Sequence, residues 1–320
     1  MIVLTLGEPS GISYEIFLKT FPFLEKTFSK ERKIYIGSKI FLKFLLRGKY
    51  SKKISLYKRL KIDKKFKNIK LFPKYIFGKN IKINGYITYL TLKEALKVLK
   101  FRKKSSKNIF IENILKKRYV LITLPLNKKN IPKKDFIGHT EFLGKFFKSK
   151  PTMLMGNKYY TFAFLTTHLP LREAIKKIKK KNIKNLIKNL KKEFPHIKRI
   201  GVFSLNPHGG EEGKLGEEEI KEIIPAIEEV KKEYKDIYIF CKPSDTILFE
   251  KADVYIALFH DQALIPLKLT DKEGIYNITL GLPIFRISPG HGTAYDIAGR
   301  NICKEDSLLE IIKKIKREIR

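Results

Sequence analysis

Eight short apolar runs, most of them continuous rather than alternating, constrain this chain more than any other feature. They fall at residues 2–6, 33–36, 119–124, 160–165, 199–205, 236–240, 254–259 and 283–287. A strand that is apolar on both sides must be covered on both faces, which is the condition of a parallel sheet. Helical patterns lie between the runs, at residues 14–23, 91–102, 171–194, 217–233 and 304–320. Strand–helix alternation predicts an α/β fold with right-handed crossovers. There is no internal repeat. The lysine-rich stretch 49–82 has no clear period and reads as irregular strands and loops.

The chain is long enough for two domains, and its 43% hydrophobic content argues against wholesale disorder. No run approaches the roughly 18 apolar residues of a membrane span. The opening "MIVLTLGEPSG" reads as a buried strand rather than a signal peptide. Two cysteines, Cys241 and Cys303, form no CxxC pair, which suits a reducing cytoplasm. Charge is the outlying property: 68 basic against 32 acidic residues, a net +36. A nucleic-acid surface would concentrate that excess and favour arginine. Here it is mostly lysine and spread along the chain, so a chain-wide compositional bias is the preferred reading. In residues 174–194, Ile175, Ile178, Ile183, Leu186, Ile187 and Leu190 recur at helical spacing and lysines fill the other face.

The ends of three runs carry histidine. His168 follows "TFAFLTT", His208 follows "VFSLNP", and His260 follows "YIALF" with Asp261 next. Ligands of open α/β sheets bind outside the carboxyl ends of the strands. Three imidazoles converging there would hold a divalent metal. Separate, hydrogen-bonded loop histidines are the alternative, because gaps of 40 and 52 residues form no metal motif. Gly209 and Gly210 would allow close approach beside His208.

Other strand ends are polar. "LGEPSGISYEI" puts Gly7, Pro9 and Gly11 at a strand-to-helix turn, without a GxGxxG fingerprint. "FIGHTEFLGKFF" sets His139 and Thr140 at a helix start, as a cap or as ligand contacts. "ISPGHGTAYDIAGRN" offers His291, Thr293, Asp296 and Asn301, groups of the kind that bind an adenosine, with Asp296 suited to ribose hydroxyls. Lys268, Asn277 and Arg286 suit a phosphate or carboxylate. His196 has no supporting neighbours and reads as structural or exposed.

Taken in order, "GEPSGISYE", "TLPLNK", "GHTEFL", "TTHLPLRE", "LNPHGGEEGKLGEEE", "PSDTILF", "HDQALIPLK" and "NITLGLPIFRISPGHGTAYDIAG" resemble the signature blocks of the 4-hydroxythreonine-4-phosphate dehydrogenase family, from residue 6 to about residue 300. The resemblance implies an α/β/α two-domain fold like those of isocitrate and isopropylmalate dehydrogenases. It implies a discontinuous cofactor-side domain (1–128 with 270–320), and a domain for metal, substrate and dimerisation (129–269). It implies a cytoplasmic homodimer with the site at the subunit interface, no membrane association and no nucleic acid. His168, His208 and His260 match the ligands of one divalent metal (zinc, magnesium, cobalt or manganese). His139, Thr140, Lys268, Asn277 and Arg286 match substrate contacts. His291, Thr293 and Asp296 match a loop for NAD or NADP. Asp245 and Asp261 match acidic residues near the metal, and Lys268 is also a candidate for proton transfer. The implied reaction oxidises 4-phosphooxy-L-threonine to a β-keto acid, which decarboxylates to 3-amino-2-oxopropyl phosphate in pyridoxal 5'-phosphate biosynthesis. A dehydrogenase of threonate or erythronate 4-phosphate is the alternative within the class; a basic nucleic-acid-binding protein on the same fold is the one outside it. The first block departs from the usual Gly-Asp-Pro-Ala-Gly-Ile-Gly-Pro-Glu at Glu8, Ser10, Ser13 and Tyr14. Two glutamates follow Gly210 where a glycine is common.

Overall fold

The computed structural model describes residues 1–47, 66–68, 81–100, 119–133 and 136–318. Apart from residues 66–68 and 81–82, the stretch 49–82 lies outside the described residues. The chain divides into two compact units, Met1–Ser149 with Leu282–Arg320, and Lys150–Gly281. The first unit is discontinuous, with crossings at 149/150 and 281/282.

In the first unit the strands are β1 (Ile2–Thr5), β2 (Lys33–Gly37), β3 (Phe66–Asn68), β4 (Val120–Thr123) and β11 (Phe285–Pro289), ordered β3-β2-β1-β4-β11. Every pairing among them is parallel. All four residues of central β1 are buried, as continuous apolar runs require. Helix α1 (Ser13–Thr27) lays Phe17 and Phe21 against Tyr35 of β2. Helix α2 spans Lys39–Arg47 and α3 spans Ile81–Lys100. Leu92, Leu96 and Leu99 of α3 join Val3, Ile36 and Leu121 in one core, each contributing about 1.5–3 kcal/mol by burial. Helix α9 (Asp306–Glu318) buries Leu308, Ile311, Ile312 and Ile315 at i, i+3, i+4 and i+7. Helix α4 (His139–Phe147) completes the unit.

In the second unit the strands are β5 (Thr152–Gly156), β6 (Thr161–Phe164), β7 (Arg199–Phe203), β8 (Tyr238–Lys242), β9 (Val254–Ala257) and β10 (Tyr276–Leu280), ordered β10-β5-β6-β9-β7-β8. The β10-β5-β6 run is antiparallel and the rest parallel. Neither β5 nor β10 is legible as an apolar run. The helices are α5 (Leu171–Lys176), α6 (Lys180–Glu193), α7 (Ile224–Glu233) and α8 (His260–Asp271). The expected helix over 171–194 is therefore two helices. The break has a tertiary cause: Ile178 is buried, and the Lys180 N–H is received by Glu222 at 2.7 Å, which caps α6 from another element. Ile183, Leu186, Ile187 and Leu190 bury as the periodicity predicts, while Ile175 is exposed.

The lysine face of α6 is not bare. Lys180 and Lys184 share Glu229, Lys188 pairs with Glu233, and Lys179 pairs with Glu222. Those lysines pull the Glu229 carboxyl down to about 2. The segment expected to be a single helix from residue 217 opens with a π turn, Glu219–Ile223, before α7. Among the described residues, no helix is long and apolar enough to cross a membrane.

Candidate functional site

In the second unit, β6, β9 and β7 are neighbouring parallel strands. His168, His260 and His208 stand four, three and five residues beyond their respective carboxyl ends. His260 opens α8, and its Nδ1 lies 2.7 Å from Asp261 Oδ1, which fixes the ring's orientation. The His168 and His260 ring centroids are 5.8 Å apart. Metal–imidazole bonds of about 2.1 Å allow centroids of two rings on one ion to lie roughly 4.5–6.4 Å apart, so this pair suits two ligands of one cation. Among the described residues, no group of three or more His, Cys, Asp or Glu is gathered closely enough to hold a metal. The expected trio does not close within a single chain.

His208 sits on unusual backbone. It begins six successive residues of positive φ: His208 (53°), Gly209 (72°), Gly210 (83°), Glu211 (44°), Glu212 (58°) and Gly213 (97°). Glu219 holds the entry to that turn. Its Oε1 accepts from the N–H of Leu205 (2.7 Å) and of Asn206 (2.9 Å), and its Oε2 from Asn206 Nδ2 (2.8 Å). Gln262 ties the ends of β7, β8 and β9 together. It donates to Ser204 O (2.8 Å) and Ser244 Oγ (2.9 Å) and accepts from the Leu258 N–H (2.8 Å). Neither Glu219 nor Gln262 was legible as functional; Gln262 lies inside a quoted block, but its role is purely tertiary. Asp245 and Asp261 are exposed. Lys268 is exposed on α8, two i+4 steps from His260 and so on the same face. Asn277 lies on β10, its Oδ1 buried with no hydrogen-bond partner.

The first unit carries a cationic cradle. Arg286 of β11 is buried and donates from Nε (3.1 Å) and Nη2 (2.7 Å) to Thr123 Oγ1 at the end of adjacent β4. Burial draws the guanidinium down to about 9, with Glu141 opposing, so it stays charged at neutral pH. Helix α4 begins beside it. Its cap, Gly138, supplies no side-chain hydrogen bond, which leaves the first N–H groups for a ligand. Lys128 Nζ would lie 3.4 Å from a Cβ at Gly138, so lysine and helix N-terminus are side by side. Burial, Arg286 and Lys128 together hold the His139 imidazole well below its usual range, leaving it neutral at pH 7. Thr140 follows it, partly buried. Lys128 was present in the "TLPLNK" block but unassigned; its neighbour is 138, ten residues on, which no local pattern announces.

The 291–303 loop belongs to the same unit. Burial lowers the His291 imidazole; its Nδ1 lies 2.9 Å from Gly292 O, and its Nε2 is buried without a partner. Thr293 is buried and Asp296 exposed. Glu8, the departure in the first block, reaches this loop: its Oε1 accepts from Tyr295 OH at 2.7 Å. His196 packs against Phe194 and belongs to neither cluster.

Residues 30–315 match the model of a family described as pyridoxal phosphate biosynthetic protein PdxA. A 4-hydroxythreonine-4-phosphate dehydrogenase of Aquifex aeolicus is 35% identical, over 98% of this chain and 97% of its own length. A putative D-threonate 4-phosphate dehydrogenase of Halalkalibacterium halodurans is 37% identical, over 62% of this chain and 62% of its own. The crystal structure of the Klebsiella pneumoniae 4-hydroxythreonine-4-phosphate dehydrogenase is 25% identical, with a TM-score of 0.75, covering 100% of this chain and 99% of that one.

Proposed function

The chain belongs to the family of the pyridoxal phosphate biosynthetic protein PdxA, and from that premise we propose that it is a metal-dependent, NAD(P)-linked dehydrogenase acting on 4-phosphooxy-L-threonine. The secondary alcohol is oxidised to a β-keto acid, which loses CO2 to leave 3-amino-2-oxopropyl phosphate. The observation that carries the reading is the His168–His260 pair, 5.8 Å between ring centroids, at the ends of two adjacent parallel strands.

The residues then take the following roles. Arg286, Lys128 and the first N–H groups of α4 bind an anionic end of the substrate, arginine by a planar fork and lysine as a point charge. His139, neutral at pH 7, and Thr140 add directional hydrogen bonds there without further charge. Asn277 offers its unpaired Oδ1 to a substrate donor. Asp261 orients the His260 ring, and Asp245 adds acidic character at the neighbouring strand end. Held by His168, His208 and His260, a divalent metal (zinc, magnesium, cobalt or manganese) would supply Lewis acidity at the hydroxyl being oxidised. NAD or NADP, bound at the loop of His291, Thr293 and Asp296, would supply the hydride acceptor. Lys268, on the His260 face of α8, is the group assigned to proton transfer and takes the hydroxyl proton in its neutral amine form. In this reading the working form is a homodimer with the metal ligands shared between copies. Two free cysteines are compatible with a cytoplasmic location.

A second reading, a D-threonate 4-phosphate dehydrogenase, is favoured by the Halalkalibacterium relative; its substrate carries a hydroxyl where phosphooxythreonine carries an amine. Reduction of NAD and NADP is to be measured with both substrates and with each lacking its phosphate. Preferred turnover of phosphooxythreonine, lost without the phosphate, is the expected result. Preference for threonate 4-phosphate replaces the first reading by the second, and no dinucleotide reduction with any of them overturns both.

A further inference from the structure

Two buried carboxylates, Glu8 in the first strand-to-helix turn and Glu15 in the first turn of α1, both grip the 291–303 loop. Glu8 is fully buried and accepts from four donors: Ser10 Oγ (3.0 Å), Asn130 Nδ2 (2.7 Å) and Tyr295 OH (2.7 Å) on Oε1, and the Asn127 N–H (2.9 Å) on Oε2. Burial and Glu8 push the Tyr295 phenol up to about 12, so it remains a donor. Asn130 Nδ2 also reaches Tyr295 OH at 2.8 Å. Beside this bond the Ile12 N–H donates to Thr293 O at 3.0 Å. A Cβ at Gly11 would sit 2.6 Å from that same oxygen, so the approach needs glycine.

Seven residues after Glu8, Glu15 holds the other end of the loop. It is buried and accepts from the N–H groups of Gly299 and of Asn301, the latter at 3.1 Å. Lys19, one helical turn further, donates to Asn301 O (3.3 Å) and to Cys303 O. Between the two anchors the backbone is held by turn bonds of 3.4 Å, from Ile297 N–H to Ala294 O and from Ala298 N–H to Tyr295 O. Asp296 projects there, exposed. At the loop's start His291 keeps a buried, unpartnered Nε2, an atom whose hydrogen bond is left for a ligand.

We propose that Glu8 and Glu15 are positioning residues: they clamp both ends of the 291–303 loop in the form that receives the dinucleotide, with Tyr295 as the link on the Glu8 side. The proposal rests on the reading of that loop as the dinucleotide site. Its physical basis is preorganisation: a loop already ordered loses little conformational freedom when ligand binds. Glu8 serves here better than a shorter acid. An aspartate ends about 1.5 Å earlier and cannot meet both Tyr295 and the Asn127 N–H.

The test compares Tyr295→Phe, Glu8→Gln and Glu8→Asp with the parent, reading NADH affinity by fluorescence titration and amide hydrogen exchange over 291–303. Tyr295→Phe is expected to weaken NADH binding about tenfold, as loss of one hydrogen bond to a carboxylate does. Glu8→Gln loses at least as much and Glu8→Asp an intermediate amount. Exchange over the loop speeds up in all three, while kcat at saturating dinucleotide and the substrate KM stay at parental values. Should Glu8→Gln fail to fold, Tyr295→Phe still decides, because its ring is 39% exposed. Unchanged NADH affinity and exchange in Tyr295→Phe would overturn the clamp. His291→Ala and Asp296→Ala separate the two claims. If both leave NADH affinity intact, the loop is not the dinucleotide site and the proposal falls with that reading. If they weaken it while Tyr295→Phe does not, the clamp alone fails.

Discussion

The two units treat their strand ends differently. In the first, several polar groups are buried and already engaged: Arg286 on Thr123, Glu8 on four donors, Thr293 O on Ile12. In the second, His168, His208, Asp245 and Asp261 are exposed, and His208 rides a left-handed turn. A cradle for a fixed anionic group gains from being built in advance, because its donors need no rearrangement when the ligand arrives. On the proposed reading the metal ligands are shared between two copies, and such a set cannot be built in advance within one chain. The difference teaches that the first unit's groups are set in place by folding, whereas on the proposed reading the second's are completed by a second copy.

The sharpest break of this comparison is His260→Ala. It removes a donor that no neighbouring group replaces, and turnover is expected to fall about a thousandfold or more, several kcal/mol of barrier. Far-UV circular dichroism should remain parental because α8 is anchored in the core by Ala263, Leu264 and Leu267, while the His260 ring touches the core at Phe164 from the helix's first residue. Residual turnover near the parental value would remove His260 from the metal set. Next comes Arg286→Lys, which keeps the charge and loses the fork. Substrate KM is expected to rise about ten- to a hundredfold, with metal affinity unchanged; a change in metal affinity and none in KM would reverse the roles of the two units.

Acid titration also separates the units. His139 and His291 have imidazoles held below 6.5 in the folded chain. The unfolded chain therefore binds more protons once pH falls below 6.5, and stability declines from there downward. Glu229 and Asp236 in the second unit are depressed to about 2 by their lysines. Their contribution is fully present above about 4.5 and is lost as pH falls towards 2. Melting temperature measured against pH should thus show an early decline that disappears in the His139→Asn, His291→Asn double variant, and a later one that persists. The smallest expected effect is at the left-handed turn. Glu211→Gly and Glu212→Gly each relieve about 1–2 kcal/mol of left-handed strain and add about 0.5–1 kcal/mol of unfolded-state entropy. A net rise of about 1–2 °C per substitution should appear by calorimetry. A fall would show that these side chains make contacts worth more than the strain.

Much of the scaffold was legible because its strands are apolar on both faces. All eight runs are strands, and the α9 and α6 stripes bury at their expected positions. What escaped was decided by tertiary contact. "TMLMG" and "YNITL" became β5 and β10 through pairing with each other, Ile278 opposite Leu154, with no periodicity of their own to mark them. Helix α8 contains Pro266 and has no side-chain cap, so its sequence lacks both usual signals. The site residues show the same division. His139 stood out at a helix start and Arg286 as a basic group near a strand end, whereas Lys128, Glu219 and Gln262 matter through partners ten or more residues distant. Glu8 was visible only as a departure from a pattern; its four donors come from three separate segments.

The central claim, a metal edge working with a preformed anion cradle, is tested most directly by stripping the purified protein of metal and restoring it. Dinucleotide reduction with phosphooxythreonine is followed at each stage, beside equilibrium binding of the substrate's phosphate end by the stripped protein. The account predicts that turnover vanishes on stripping and returns with a divalent cation, while phosphate-dependent binding persists throughout. Full turnover in the stripped protein, or loss of phosphate binding together with the metal, would contradict it.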